Sequence, residues 1–384
     1  MNKLINLFKL FTNKKFFIRI PKNIDVLIFG KTIKSFNLKK KIFILDNQIF
    51  ILILLKSLIK NLLNRSFSLS KLNNIYFYET IKIISPKIAL GNEINMNIFK
   101  FKKFFPEKIA IAYQCVQWSN LLKGSLKRYV KNSKYPLTCD YFFVYDQNSK
   151  KLLNFVKSKF IISGSVRNNE IITKKRRMKK YDIMFISEYR DKIGREKLKY
   201  ESGINKVNDL KLSHILISQS LIFQSFILRA LNEIQKENNL KVCIALASNR
   251  AEKKDNVDSK NEEKFLKENI EEYHTEPISS YQLAENSKIS ITFMSTLGKE
   301  LLSRNHKVMF VLYSKFKFIN GKYLPNSSGK YWYEGKNINQ LKKKILNLIK
   351  TNEKKWSSYL NKKNIGYSYD KGNKKLKKLI LKLC

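Results

Sequence analysis

The stretch "ISITFMSTLGKELLSRNHKVMFVLY" (289–313) contains a strand, a helix and a second strand in immediate succession. Its outer parts, "ISITFMS" and "KVMFVLY", are apolar and β-branched runs that predict buried strands, and "LGKELLSRN" between them predicts a helix. Two buried strands joined by a helix are typical of a parallel sheet, because a parallel pair needs a crossover connection. The stretch therefore predicts an α/β fold.

The same alternation extends through the rest of the chain. Nearby in the second half, strands are predicted at 181–187 and 240–247, with a long helix at 213–237 between them. In the first half, apolar runs predict strands at 24–30, 40–46, 86–92, 108–114, 140–146 and 159–166. Strands and helices that alternate in this way predict two consecutive Rossmann-like, doubly wound domains facing a cleft.

A basic segment near the middle of the chain separates the two predicted domains. "TKKRRMKK" (173–180) has no apolar period and is typical of a solvated linker. We therefore place the N-terminal domain at 1–178, the C-terminal domain at 179–336 and lysine-rich basic helices at 337–384. The chain of 384 residues is long enough for two such domains. Its end, "NKKLKKLILKLC", suits either packing against the first domain or lying on a membrane surface.

The formal net charge of +46 points to an anionic partner. Lysine supplies most of this charge, whereas arginine is the residue favoured for bidentate recognition of phosphates and guanine edges. No recognised nucleic-acid-binding motif is present, so nucleic acid is an unlikely partner and an anionic membrane surface is the better candidate.

The cysteines and histidines show no metal-binding pattern. The four cysteines are widely spaced without a CxxC pair, and the three histidines have no ligand spacing. The longest apolar run, at 49–55, is far shorter than the roughly 20 residues that span a bilayer. The first 20 residues lack a signal-peptide core. We expect a cytoplasmic protein, peripheral on the inner face of the membrane, without a structural metal site.

Two hydroxyls and a carboxylate mark the point where the strand of the opening stretch meets its helix. Ser295 and Thr296 lie at the helix start, where free backbone N–H groups and the helix dipole favour anions. Glu300 lies one turn further on the same face and can accept hydrogen bonds from a sugar diol. The pattern predicts a nucleotide site; the alternative is an ordinary capped helix with an acid in its first turn.

Several landmarks in this order resemble surface-carbohydrate and O-antigen biosynthesis proteins of the GT-B type. They are "PKIALGNEINMNIFKFKKFFPEKIAIAYQCVQW" (86–118), "FFVYDQNS" (142–149), "SGSVRNN" (163–169), "IMFISEYR" (183–190) and the stretch 280–311. The resemblance covers roughly residues 80 to 315 and implies two Rossmann-like domains, with the donor nucleotide in the second. It also implies transfer of a sugar from a nucleotide sugar to a glycan or lipid-linked acceptor.

The donor side of the resemblance extends to three more residues of the second domain. "ISEYR" follows the first strand of that domain, where related proteins place groups against the donor phosphates, so Ser187 and Arg190 are candidates. A guanidinium at this position can neutralise the departing diphosphate, and no Asp-x-Asp metal signature is present, so we expect no metal. His274 precedes a turn that contacts the nucleotide base in such proteins; the alternative is a surface histidine.

The acceptor side departs from the pattern. Where related proteins carry Asp-Asn, this chain has "GNEIN", so Glu93 becomes the candidate general base for the acceptor hydroxyl. The turn "YQCVQW" (113–118) lacks the glycine of the related turns, so we expect the backbone of the acceptor loop to differ from theirs. In "SGSVRNN", Gly164, Ser165 and Arg167 are candidates for an interdomain cleft, and the alternative is a turn with a helix cap at Asn168 or Asn169.

These observations support one leading function and leave alternatives open. The leading hypothesis is a GT-B glycosyltransferase of O-antigen or surface-polysaccharide biosynthesis, with a nucleotide sugar as substrate and no cofactor. A transferase of polyol phosphate from a CDP-glycerol-type donor would use a similar cleft, although the histidines expected for that chemistry do not form a motif here. A catalytically silent GT-B-like scaffold and a basic nucleic-acid binder are the remaining alternatives.

Overall fold

The structure of the chain is a computed structural model. It describes residues 15–30, 38, 40–46, 48–63, 68–115, 137–174, 178–190, 207–248, 259–293, 295–312, 329–363 and 368–384. The chain folds into two compact units, which we call unit 1 (Met1–Glu170 with Asp370–Cys384) and unit 2 (Ile171–Tyr369).

Unit 1 contains a six-stranded parallel sheet and a separate parallel pair. Its strands are β1 (Lys15–Phe17), β2 (Val26–Phe29), β3 (Ile42–Leu45), β4 (Gln48–Phe50), β5 (Ile88–Asn92), β6 (Ile109–Tyr113), β7 (Thr138–Val144) and β8 (Lys157–Ile162). The large sheet has the order β3-β2-β5-β6-β7-β8, and β1 pairs with β4. The chain leaves β2 toward β3 on one side and leaves β5 toward β6 on the other, so the strand order reverses between β2 and β5.

Unit 2 contains a second parallel sheet. Its strands are β9 (Tyr181–Ile186), β10 (Val242–Ala245), β11 (Ser287–Thr292), β12 (Val308–Leu312) and β13 (Trp332–Glu334), in the order β10-β9-β11-β12-β13. A parallel bridge from His274 to Cys243 extends the sheet beyond β10. With this bridge the order is that of a Rossmann fold, 3-2-1-4-5-6, and it reverses between β9 and β11. The predicted fold class, two Rossmann-like units of parallel α/β type, is confirmed.

Helices connect the strands of both sheets. The helices are α1 (Ile51–Leu63), α2 (Leu69–Ile84), α3 (Asn97–Phe104), α4 (Gln147–Leu152), α5 (Val166–Glu170), α6 (Val207–Asn238), α7 (Ser259–Lys267), α8 (Ser280–Glu285), α9 (Thr296–Ser303), α10 (Ile338–Lys350), α11 (Glu353–Lys363) and α12 (Lys374–Leu383). Most of those whose starts are described are capped by a polar side chain, as at Ser68, Asp146, Ser279 and Asn337, which accepts an otherwise unpaired backbone N–H. Within these ranges, no helix has the length and apolarity needed to cross a bilayer.

The C-terminal helix α12 completes the core of unit 1. Leu376 and Ile380 are fully buried against strand residues of the unit 1 sheet, including Val26 and Ile28. Burying two aliphatic side chains stabilises the unit by about 3 to 6 kcal/mol. Of the two alternatives for the C-terminal sequence, packing against the first domain is the one observed.

The approach to α12 is fixed by hydrogen bonds to the end of α5. The Asn169 side chain accepts from the Asp370 N–H (3.0 Å), and the Asn169 carbonyl accepts from the Gly372 N–H (2.7 Å). The Asn373 amide donates to the Val166 carbonyl (2.9 Å). Asn169 is fully buried, so its polar atoms need these partners.

The division into units differs from the boundaries placed on the sequence. The chain enters unit 2 at Ile171, within a few residues of the basic segment, of which 175–177 lie outside the described residues. The helices α10 and α11 lie in unit 2, where Leu341, Ile345 and Trp356 are fully buried in its core. The lysine-rich residues after 337 are therefore shared between the two units.

Candidate functional site

The candidate site of unit 2 lies where its strand order reverses. The chain leaves β9 toward one side of the sheet and leaves β11 toward the other, which opens a crevice beyond their carboxyl ends. Glu188 follows β9, and Ser295 follows β11 at the start of α9. Ligands of open parallel sheets bind at such a reversal point.

Hydrogen bonds join the ends of these two strands. Thr292 Oγ1 donates to Glu188 Oε1 at 2.6 Å, and the Ser295 N–H donates to Thr292 Oγ1 at 3.2 Å. The Glu188 N–H in turn donates to the Gln224 side-chain oxygen at 2.8 Å. We call Glu188, Thr292 and Ser295 the switch-point group. The group fixes the backbone that leads from β11 into α9.

The first turn of α9 has the features of an anion site. Ser295 Oγ accepts from the Leu297 N–H at 3.2 Å and is largely buried, while Thr296 is half-buried. Gly298 brings the helix close to the sheet, because a Cβ there would lie 2.7 Å from Thr292 Cγ2 and 3.0 Å from Phe310 Cζ. The amino end of α9 is therefore held against the carboxyl edge of the sheet, where its backbone N–H groups favour a phosphate.

Glu300 lies one turn further along α9, on a buried side. The Tyr281 hydroxyl donates to Glu300 Oε2 at 2.5 Å. The Arg304 guanidinium lies over the rings of Tyr281 (5.0 Å) and Tyr369 (5.1 Å) and donates to the Ile171 carbonyl at 2.6 Å. In this structure the Glu300 carboxylate is thus oriented by a phenol that a bound diol would have to share or displace.

A second buried carboxylate lies between the ends of β9 and β10. Glu262, from α7, is fully buried. Its Oε1 accepts from Ser187 Oγ (2.6 Å) and the Ala247 N–H (2.8 Å), and its Oε2 accepts from the Ser248 N–H (2.9 Å). A buried carboxylate needs such a set of donors. Ser187 Oγ also accepts from the Tyr189 N–H at 3.3 Å. Because a hydroxyl has one proton, Ser187 has none left to donate to a ligand in this arrangement.

Two predicted donor residues remain, Arg190 and His274. Arg190 lies at the edge of the switch-point group, and His274 lies apart from it. Arg190 is exposed, two residues beyond Glu188. His274 is exposed at the outer edge of the sheet, where its ring packs at 5.4 Å against Tyr181, the first residue of β9. Its bridge partner Cys243 pairs with Met184, four residues before Glu188, so the His274 backbone lies two strands across the sheet and about 13 Å along the strand direction from Glu188. The structure therefore does not bring His274 together with the switch-point group.

In unit 1, Glu93 lies at the corresponding reversal point. It follows β5, is almost fully buried, and its Oε2 accepts from the Cys115 N–H at 2.7 Å. Gln114 makes the equivalent contact one strand further, since its side-chain oxygen accepts from the Tyr145 N–H at 2.9 Å. Both side chains satisfy backbone groups of the neighbouring strand. Residues 116–118 of the acceptor turn lie outside the described residues.

The remaining candidates form the start of α5 in unit 1. Gly164 has φ +81°, a left-handed conformation that favours glycine, and its N–H donates to the Val144 carbonyl at 3.2 Å. Ser165 Oγ accepts from the Asn168 N–H at 3.3 Å and caps the helix, while Arg167 is exposed. The capped turn considered for this sequence is present, and the cap is Ser165 rather than an asparagine.

Reasoning from the sequence missed four residues of unit 2: Glu188, Thr292, Glu262 and Tyr281. Glu188 could have been found, because it is an acid immediately after a predicted strand, the same signal that selected Glu93. Thr292 reads as an ordinary strand residue and Glu262 as one of several charges on an amphipathic helix. In the described part of the chain, no three His, Cys, Asp or Glu side chains lie close enough together to hold a metal ion.

Comparison with known proteins gives a family and a fold. A family model described as "putative O-antigen biosynthesis protein" matches residues 122–384. A crystal structure of a "putative UDP-N-acetylglucosamine 2-epimerase" from Listeria monocytogenes is 13% identical, with a TM-score of 0.53 over 92% of this chain and 95% of that one. Another UDP-N-acetylglucosamine 2-epimerase structure is 11% identical, with a TM-score of 0.50 over 94% and 95%. No curated protein sequence matches the chain significantly. At these identities the structural likeness shows the fold alone.

Proposed function

Because the chain belongs to the family of "putative O-antigen biosynthesis" proteins, we propose that it is a glycosyltransferase of surface-polysaccharide synthesis. It moves a sugar from a nucleotide-sugar donor to a glycan or lipid-linked acceptor, and it works at the cytoplasmic face of a membrane without a cofactor. The observation that carries the proposal is the switch-point group, which holds the amino end of α9 at the reversal point of the unit 2 sheet.

The donor nucleotide is proposed to bind in unit 2. The backbone N–H groups of the first turn of α9, with the hydroxyls of Ser295 and Thr296, would bind its phosphates. Glu300 would accept from the ribose hydroxyls in exchange for the Tyr281 hydroxyl. Glu188 would act as a positioning residue, since its carboxylate holds Thr292 and, through it, the Ser295 backbone.

The transfer step needs a cation for the leaving group and a base for the acceptor. Arg190, exposed beyond β9, is the candidate cation, because a guanidinium can bind the leaving diphosphate bidentately and neutralise its charge without a metal. Glu93 in unit 1 is the candidate base for the acceptor hydroxyl. Its buried carboxylate is already fixed by the Cys115 N–H, which sets the orientation of its oxygens.

The test is binding of nucleotides to the full chain. Thermal shift and calorimetry with the diphosphates of uridine, guanosine, cytidine and thymidine, and with their sugars, should show one preferred base. Glu300→Gln keeps a partner for Tyr281 but loses the charged acceptor, so the affinity for the preferred nucleotide should fall about tenfold, or about 1.4 kcal/mol. Glu271→Ala is the matched control, because Glu271 is an exposed acid of unit 2 that pairs with Lys236.

Two results would overturn the assignment of the donor site. One is that no nucleotide or nucleotide sugar stabilises the wild-type chain; the other is that Glu300→Gln and Glu271→Ala bind equally well. Binding of a nucleotide sugar without hydrolysis or transfer would indicate a silent scaffold instead of a transferase. A preference for CDP-glycerol over every nucleotide sugar would indicate polyol-phosphate transfer.

A further inference from the structure

Helix α1 of unit 1 has its apolar side chains on the outside. Six of them are between 37% and 75% exposed: Ile51, Leu52, Leu55, Ile59, Leu62 and Leu63. At 100° per residue these positions span about 120° of the helix surface. The buried side carries Ile53, Ser57 and Asn61, two of which are polar. The helix is therefore amphipathic in the opposite sense to an ordinary surface helix, whose apolar stripe faces the core.

Strand β1, which pairs with the strand before α1, carries further exposed apolar side chains. Phe16, Phe17 and Ile18 are 38% to 69% exposed. β1 pairs with β4, whose last residue, Phe50, directly precedes α1. We call these three residues and the six of α1 the α1 face. Each of these nine side chains is at least 37% exposed. Contiguous exposed apolar patches of this kind mark interaction sites.

Positive charges border the α1 face. Lys56 and Lys60 lie along one edge of the helix and both pair with the buried Glu79 of α2, Lys56 at 2.9 Å. The single carboxylate leaves the pair of lysines with a net positive charge and holds their aliphatic stems beside the apolar face. Lys15 and Arg19 flank the exposed residues of β1. An apolar helix face with lysines at its edge is the pattern of a helix that lies in a membrane interface.

We propose that the α1 face docks on an anionic lipid bilayer, with the axis of α1 parallel to the membrane plane. Charge decides between this partner and a second copy of the chain. Two copies would bring the basic borders of two chains of charge +46 against each other, whereas anionic lipid neutralises them. The 13 residues of α1 give an apolar strip about 20 Å long.

The location of this surface differs from the one that charge and periodicity suggested. The C-terminal sequence at 373–384 was a candidate for the membrane contact, but Leu376 and Ile380 are buried in unit 1. The α1 face is the alternative that the structure provides. The inference does not depend on the nucleotide site, because docking uses only unit 1 and nucleotide binding is proposed in unit 2.

The experiment compares two leucines of equal exposure. Leu55 on the α1 face and Leu381 on α12 are each 52% exposed, and both lie on helices of unit 1. The full chain is mixed with vesicles of phosphatidylcholine containing about one-third phosphatidylglycerol, and binding is measured by flotation. Leu55→Glu should weaken binding at least tenfold and Leu381→Glu less than twofold. Binding should also weaken with salt and on vesicles of phosphatidylcholine alone.

Three results would overturn the proposal. The first is that the wild-type chain does not float with anionic vesicles; the second is that Leu55→Glu and a second variant, Ile59→Glu, bind as well as Leu381→Glu. The third is that Leu55→Glu converts a dimer into a monomer without changing vesicle binding, which would assign the face to a second copy. Nucleotide binding measured on the same preparations should be unchanged, so a failure here is distinct from a failure of the donor site.

Discussion

Replacing Gly298 by alanine tests how closely α9 must approach the sheet of unit 2. Two effects of opposite sign compete. Alanine is favoured over glycine in a helix by about 1 kcal/mol. Its Cβ, however, would lie 2.7 Å from Thr292 Cγ2 and 3.0 and 3.1 Å from two atoms of the Phe310 ring. Both neighbours are fully buried, so neither can move into open space.

The steric effect should win. Ordinary contacts are 3.4 Å or more, so α9 or its neighbours would have to move by about 0.7 Å, and overpacking of this kind typically costs about 1 to 3 kcal/mol. After subtraction of the helical preference, Gly298→Ala should destabilise unit 2 by about 1 kcal/mol. Because the displaced turn also carries Ser295 and Thr296, nucleotide affinity should fall in the same variant.

A double variant separates the contact from other causes. Thr292→Ser removes the methyl group that clashes while keeping the hydroxyl that donates to Glu188. Part of the loss should therefore be recovered in Gly298→Ala/Thr292→Ser, as a favourable coupling energy in the double-mutant cycle. Urea unfolding followed by tryptophan fluorescence is suited to the measurement, since two of the three tryptophans, Trp332 and Trp356, lie in unit 2. Stabilisation by Gly298→Ala, or no recovery in the double variant, would refute the reasoning.

Two further predictions concern the stability of unit 2. Glu262→Ala removes a buried carboxylate and leaves three hydrogen-bond donors without their acceptor. The free energy of unfolding measured by urea titration should therefore fall by about 3 to 5 kcal/mol. A fall below about 1 kcal/mol would contradict the burial argument. Desolvation, with the charges of Lys179 and Lys307, lowers the pKa of His306 to about 3. The unfolded chain takes up this proton first as pH falls from about 6.5 toward 3, so stability is lost over that window. Because His306 is partly exposed, the free energy of unfolding should fall by about 1 to 2 kcal/mol between pH 7 and 5. The His306→Gln variant should not show this fall.

Periodicity predicted the strands well because most of them are buried on both faces. Predicted strands at 86–92, 108–114 and 181–187 are observed at Ile88–Asn92, Ile109–Tyr113 and Tyr181–Ile186. Such runs need only apolar residues bounded by turns, a signal that the sequence carries locally. The edge strand Trp332–Glu334 was missed because three residues are too short to show a period.

The orientation of an element was harder to predict than its type. Helix α1 is apolar at most positions, so the sequence indicates a helix but not which side faces the core. The structure buries Ser57 and Asn61 and exposes Leu55 and Ile59, because α1 packs against α2, whose Glu79 binds the lysines of α1. That choice depends on a partner helix and is not encoded in the period of α1 alone.

The candidate site was predictable where the signal was local and not where it depended on tertiary contacts. Ser295 and Thr296 are found at a helix start beyond a strand, as their spacing predicts. Glu262 approaches the site from a helix 75 residues after Ser187, which no local pattern indicates. His274 has a local signal but lies away from the switch-point group. Its sequence neighbourhood resembles a base-binding turn, whereas its bridge to β10 places it at the outer edge of the sheet.

The return of residues 370–384 to unit 1 constrains how the chain can fold during synthesis. Asn169 has a local partner in the Ser163 carbonyl, but its side-chain oxygen receives the Asp370 N–H only 201 residues later, when Asp370 has emerged from the ribosome. Until then, the sheet surface that Leu376 and Ile380 cover is exposed while unit 2 is already complete. A nascent chain therefore presents unfinished apolar surface for the whole time that unit 2 is translated, about 10 to 40 s at ordinary elongation rates. Unit 1 expressed alone should need residues 370–384 joined back to it, for example through a linker after Glu170.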